Sequence, residues 1–201
     1  EAGHQYDTYR SLRLLLPLFI LLFSLGACLA SRLLFRRISN PFYRDMSNTD
    51  YLTQLKNRNA YQLDIGNRIA GKAQEGTGFI LLDLNGLKHV NDTLGHDAGD
   101  VYITCVSKAY LNMRTREAVM YRIGGDEFVV VMPDADRDKI QDFMRRFGDM
   151  FNREASMPEF TFSWGYSIYD PNADADLYST CRRADKNMYM RKQQYYKNKN
   201  T

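Results

Sequence analysis

The sequence predicts a mixed α/β fold, a ferredoxin-like βαββαβ palm-type core with added elements, preceded by one transmembrane helix. Three observations predict it. From residue 59 onward, short apolar runs alternate with amphipathic stretches of helical spacing, which is how strands and helices in turn read. Two of those runs flank Gly124-Gly125, so they should form a hairpin inside the alternation. Leu14 to Ser31 reads LLLPLFILLFSLGACLAS without a charge, about the length of helix that crosses a bilayer core.

The elements follow in order. Residues 1–11 read as the end of a periplasmic segment and residues 12–35 as the span. Pro17 and Gly26 are tolerated in a membrane helix. A cleaved signal peptide fits less well, because basic residues follow the apolar run where a small-residue cleavage site would stand. Arg32, Arg36, Arg37 and Arg44 follow the span, against Arg10 and Arg13 before it. The C-terminal side is therefore expected in the cytoplasm and the span in the inner membrane. Residues 36–49 read as linker, with Pro41 blocking a straight continuation of the helix. Residues 50–197 read as the catalytic domain.

Within it, Asn59 to about Ala73 has helical spacing through Tyr61, Ile65 and Ile69. Residues 79–82 are a buried strand ending at Asp83. Leu84 to Gly95 reads as a polar loop with two glycines, and Ala98 to Met113 as a helix with Val101, Cys105, Val106 and Ala109 on one side. Residues 119–122 and 128–132 are the hairpin strands. Arg137 to Glu154 is amphipathic, with Ile140, Phe143, Met144 and Phe147 inward. Residues 160–169 alternate, so Phe160, Phe162, Trp164, Tyr166 and Ile168 share a face. The last helix runs from Leu177 to about Tyr196, and the polar tail from Gln193 is expected to fray.

Composition excludes several classes. The 201 residues carry a formal net charge of +3, too little to argue for nucleic acid, and no nucleic-acid partner is expected. Cys28, Cys105 and Cys181 are odd in number and lack metal or C-x-x-C spacing, so they read as reduced thiols. The chain begins at Glu1, so it reads as a piece of a longer protein whose sensor segment lies upstream.

The chemistry concentrates in two stretches. Residues 122–128 are R-I-G-G-D-E-F. They put Asp126 and Glu127 at a hairpin tip, with Asp83 leaving the neighbouring strand. Carboxylates on adjoining strand ends repel unless a cation holds them, and oxygen ligands suit Mg²⁺ or Mn²⁺. Gly124 and Gly125 allow positive backbone angles and close approach of a phosphate. That is a layout for metal-assisted phosphoryl transfer; a Gly-Gly turn with solvated acids is the plainer reading of the motif alone. Residues 83–100, D-L-N-G-L-K-H-V-N-D-T-L-G-H-D-A-G-D, are dense in Asp, Asn, Gly and His. Asn91 and Asp100 can read a purine edge, and Lys88 can meet phosphate as a point charge. An Asx-rich surface loop is the alternative, and His96 alone would more often be structural.

Residues 122–128 resemble the defining motif of the GGDEF-domain diguanylate cyclases. D-Y-L-T-Q-L-K-N-R at 50–58, residues 83–100, T-F-S-W-G-Y-S at 161–167 and A-D-K-N-M-Y at 184–189 resemble further blocks of that family in order and spacing. The resemblance covers about residues 50–195. It implies condensation of two GTP into cyclic di-GMP and two pyrophosphates across a homodimer of facing domains. It implies Mg²⁺ (or Mn²⁺) held by the side chains of Asp83 and Asp126 and the carbonyl of Leu84. It implies guanine held by Asn91 and Asp100 with His96 nearby, phosphates met by Lys88 and Lys192, and Asp126 or Glu127 acting at the 3′-hydroxyl. A carboxylate that ligates metal is a poor base.

This sequence departs from the family pattern at Gln54 for Gly, Asn85 for Asp, Leu87 for Phe, and Tyr195-Tyr196 for Gly-Arg. The last of these puts one phosphate contact in question, which Lys197 or Lys186 could replace. The family's inhibitory Arg-x-x-Asp falls on Thr115 and Ala118, with Arg114 and Glu117 one position out of register. Weak or absent product inhibition by that route is expected. A catalytically silent domain that binds GTP or a protein is the alternative function.

Overall fold

The computed structural model describes residues 17, 19–35, 48–72, 74–113 and 115–199. The chain divides into two units, Glu1–Ser47 and Asn48–Thr201. In the first, residues 19–35 form helix α1, whose Phe19, Leu22, Leu25 and Phe35 side chains are exposed. No helix among the described residues is long and apolar enough to cross a membrane, so the expected span over 12–35 does not emerge there. Residues 1–16, 18 and 36–47, with the expected outer segment and most of the linker, lie outside the described residues.

The second unit is built on a five-stranded mixed sheet in the order β1-β3-β4-β2-β5. The strands are β1 (Lys56–Asn57), β2 (Gly78–Leu84), β3 (Val119–Arg122), β4 (Glu127–Met132) and β5 (Phe162–Ile168). β2 pairs antiparallel with β4 and β5, β3 antiparallel with β4, and β1 parallel with β3. Without β1 this is the ferredoxin-like order. β1 was not expected, because two residues are too short to show a period.

Alternation along β2 explains the two cores. Ile80, Leu82 and Leu84 face a cluster with Val106, Phe143, Phe147 and Phe151. These come from α4 (His96–Asn112) and α5 (Arg137–Glu154). Phe79 and Leu81 face a second cluster with Ile65, Leu177, Ala184 and Met188, from α2 (Arg58–Ala70) and α6 (Leu177–Lys199). β2 is buried along its whole length. Each fully buried Leu or Phe there contributes about 1.5–3 kcal/mol.

Two sequence expectations are corrected. The polar loop over 84–95 contains a helix, α3 (Leu87–Leu94). Leu87 and Val90 are buried beneath it, and this short apolar face is hidden among Asx residues. Gly95, at φ +89°, breaks the chain before α4 begins at His96. The tail from Gln193 does not fray: α6 continues to Lys199. The expected alternation on β5 holds: Phe162, Trp164, Tyr166 and Ile168 share a face, which packs half-buried on the larger core at the sheet edge. The opposite face, Ser163, Gly165 and Ser167, is the fully buried one, because α6 lies directly on it.

Candidate active site

The same alternation that puts Phe79 and Leu81 under α6 puts Asp83 there. Asp83 is the register partner of Glu127 on β4, and parity sets Glu127 on the same face as Val129 and Val131. Leu84 N–H donates to the Asp126 carbonyl at 3.2 Å, tying the hairpin tip to the end of β2. Asp126 is half-buried and Glu127 exposed. From above, Lys192 of α6 forms a short ion pair with Asp83, whose side chain is 9% exposed. Burial first, and then the like charges of Asp126 and Glu127, push the Asp83 carboxyl above its ordinary range against the pull of Lys192. Asp83, Glu127, Lys192, Tyr196 and Lys197 line an open pocket of about 660 Å³. The sequence had singled out the first three of these as site residues.

Lys88, Asn91, His96 and Asp100 do not line that pocket. Lys88 and Asn91 lie on α3, His96 and Asp100 on α4. Lys88, His96 and Asp100 are exposed and Asn91 is half-buried. Asn91 packs against Gly99, where an added Cβ would collide with the Asn91 amide, its Cγ lying at 2.9 Å. Gly99 is thus what lets the Asn91 side chain lie on α4 beside Asp100.

The hairpin glycines do something other than expected. Neither Gly124 nor Gly125 is among the positive-φ glycines, which are Gly76, Gly86 and Gly95. A Cβ on Gly124 would meet the Glu127 side chain, with its Cβ and Cδ at 3.2 Å, so this glycine makes room for an acid. The tip is then held by Arg122. Its Nη1 donates to Asp50 Oδ1 at 3.0 Å and Oδ2 at 3.2 Å, and its Nη2 donates to the Gly125 carbonyl at 2.9 Å. Asp50 also accepts from Thr53 N–H and Oγ1. Burial alone would raise the Asp50 carboxyl, but these bonds hold it below the usual range. Sequence reasoning quoted both motifs and gave neither residue a role.

Asn85 is also structural. Its amide donates to Thr161 Oγ1 at 3.1 Å and accepts from Ser163 Oγ at 2.8 Å, and Tyr102 OH donates to its carbonyl. A neutral side chain satisfies this buried position. At the former inhibitory-site positions, Thr115 Oγ1 donates to Glu117 and Arg146 pairs with Glu117 at 2.6 Å; Arg114 lies outside the described residues.

Among the described residues, no group of three or more His, Cys, Asp or Glu could hold a metal ion. The expected ligand set needs two carboxylates and a carbonyl. It is all oxygen, and its acids repel one another around Asp83, so it fits a hard divalent cation. Such a cation would have to displace the Lys192 ammonium.

Two acids at adjoining strand ends of a ferredoxin-like sheet, with Lys192 of the last helix over one of them, define a charged site on a mixed α/β domain. The chain belongs to the diguanylate cyclase GGDEF-domain family, whose sequence profile matches residues 47–198. It is 30% identical over 164 residues, 81% of this chain, to the probable diguanylate cyclase DgcJ of Escherichia coli, of which it covers 32%. It is 31% identical over 153 residues, 75% of this chain, to the E. coli cyclic di-GMP phosphodiesterase PdeR, of which it covers 23%. The chain thus spans a third or less of these two relatives. The coiled coil and GGDEF domain of DgcB from Caulobacter crescentus, solved in complex with c-di-GMP, is similar with a TM-score of 0.68. It is 27% identical, with 85% of this chain and 95% of that one covered.

Proposed function

We propose that the chain is a diguanylate cyclase, condensing two GTP into cyclic di-GMP and two pyrophosphates across a homodimer of facing domains. The observation that carries this is the register of Asp83 with Glu127 beneath Lys192, within a chain that matches the family over 47–198. In this reading Asp83, Asp126 and the Leu84 carbonyl hold Mg²⁺ or Mn²⁺. When bound, the ion supplies Lewis acidity to the phosphate oxygens. Lys192 and Lys88 stabilise the charge that builds on the leaving pyrophosphate. Asp100 accepts from the guanine N1–H and 2-amino group, and the Asn91 amide donates and accepts along the same base, with His96 beside them. Asp126, freed of the proton-accepting task by its ligand role, leaves Glu127 to orient the 3′-hydroxyl.

The purified chain with GTP and Mg²⁺ should yield cyclic di-GMP by chromatography, and Asp126→Ala should yield none. Wild type making no product at high concentration would overturn the reading. A second reading, a silent domain that binds GTP or a partner protein, is favoured by the similarity to a protein named as a phosphodiesterase. It predicts GTP binding without product. The uncharged stretch from Leu14 to Ser31 supports anchoring at the inner membrane, with the catalytic domain on the cytoplasmic side. Recovery of the expressed chain in the soluble fraction would count against it.

A further inference from the structure

β5 is an edge strand, paired with β2 on one side and with no strand beyond it among the described residues. Asn85 N–H donates to the Thr161 carbonyl, and Tyr169 N–H to the Thr77 carbonyl. The odd-numbered residues of this segment are therefore the ones that bond to β2, and the N–H and carbonyl groups of Trp164, Tyr166 and Ile168 point away from the sheet. Such an edge ordinarily offers donors and acceptors in turn and templates another strand. Here its acceptors are taken. Arg191, Asn187 and Arg183 of α6 donate to the Trp164, Tyr166 and Ile168 carbonyls at 3.2, 2.9 and 2.6 Å. The three N–H groups have no acceptor among the described residues. What remains is an edge of donors alone.

Tyr166 and Ile168 line an open pocket of about 720 Å³ together with Arg137, Arg183, Arg191 and Asp170. Its charges do not cancel. Arg183 is matched by Asp174 at 2.6 Å, and the Asp170 carboxylate accepts from Asn172. Arg137 is exposed at the start of α5, and Arg191 lies over the Trp164 ring, 4.3 Å from its centroid. Neither forms an ion pair among the described residues. Two unmatched guanidinium groups thus stand against one carboxylate, beside a backbone that only donates. Forked guanidiniums and N–H groups together suit an anion that only accepts. A phosphate monoester brings three terminal oxygens to these donors, a carboxylate two. An added peptide strand fits poorly, because its own N–H groups would find the β5 carbonyls occupied. We propose that the pocket between β5, α5 and α6 binds a phosphate monoester, held by Arg137, Arg191 and the outward N–H groups of Tyr166 and Ile168. This site shares no lining residue with the pocket beside Asp83, and it stands apart from the cyclase reading.

The test titrates the full chain, labelled with nitrogen-15, with glycerol phosphate in the absence of Mg²⁺ and nucleotide, and follows the amide resonances by NMR. The Tyr166 and Ile168 amides should shift saturably, and glycerol alone should not move them. Arg137→Gln and Arg191→Gln should each weaken binding about ten-fold, as loss of a charge-assisted bond does, and added salt should weaken it further. The melting temperature of Arg137→Gln, at an exposed position, should equal that of wild type. Displacement of glycerol phosphate by vesicles of phosphatidic acid would assign the group to a lipid headgroup, and no displacement to a free metabolite; both uphold the site. Unmoved Tyr166 and Ile168 amides, binding that both variants retain in full, or tighter binding of an oligoglutamate peptide to the same amides would overturn the proposal.

Discussion

At the scale of single residues, two positions show how local physics fixes what a motif leaves open. Gln54 stands where the family pattern has glycine, and its φ is +58°. That left-handed conformation strains a side chain with a Cβ, and the Gln54 Nε2 bond to the Tyr51 carbonyl at 2.8 Å is exposed and offsets little. Gln54→Gly should therefore stabilise the protein by up to about 1 kcal/mol in urea melts; a lower midpoint would refute the strain argument. Asp174 has a side chain 2% exposed and pairs with Arg183 at 2.6 Å. It also accepts from Thr180 Oγ1 and Asp170 N–H. Burial works to raise this carboxyl, but the Arg183, Asp170 and Thr180 hydrogen bonds prevail and hold it below the usual carboxylate range. A folded pKa below the unfolded one gives stability that is present above the unfolded value and lost as pH falls through the folded value. Asp174→Asn should cost about 2 kcal/mol at neutral pH, and the difference from wild type should vanish in acid. A pH-independent difference would refute it. Asp83 and Lys192 were singled out from dense motifs, and the structure brings the two together; Asp126 lies at the hairpin tip beside them, its carbonyl bonded to Leu84 N–H. Tyr196 was legible as a departure alone, since its partner is the backbone N–H of Gly86, far away in sequence.

At the scale of elements, α6 positions most of the pocket, and a glycine on β5 sets how closely it lies. An added Cβ at Gly165 would fall within 2.6 Å of Met188 Cα and Asn187 C, which are helix backbone and cannot turn aside. Along the same contact, Arg183, Asn187 and Arg191 donate to the carbonyls of Ile168, Tyr166 and Trp164. The four-residue steps of the helix match the two-residue steps of the edge strand. Gly165→Ala must lift α6 from the sheet, with a cost of about 1–3 kcal/mol. Because Lys192 rides on the same helix, GTP affinity should fall with it. Wild-type stability in Gly165→Ala would show that α6 is not seated by this contact. Helices and strands with a long period, such as α5, were readable from sequence, and its bounds agree with the expectation. α3 was not, because eight residues with two buried apolar side chains do not outweigh the loop composition around them. Nor was the deep burial of Ser163, Gly165 and Ser167 on β5, since small residues carry no hydrophobic period while close helix packing demands them.

At the scale of the whole molecule, the cyclase reading turns on pairing. Asp83 and Glu127 stand at the adjoining ends of β2 and β4 and line an open pocket, and on the cyclase reading each domain takes one GTP. Joining two GTP then requires a second copy, whose arrival is bimolecular. The rate per milligram should rise in proportion to protein concentration when dilute and level off once pairs are saturated. Any device that confines two copies together raises their effective concentration and moves that plateau to lower total protein. The exposed apolar side chains of α1 are suited to such confinement on a lipid surface. Adding vesicles should therefore flatten the dilution curve by lifting its low end, with no change at the plateau. A rate per milligram that stays constant over a hundred-fold dilution, while sedimentation shows the chain to be monomeric, would rule out catalysis between facing domains.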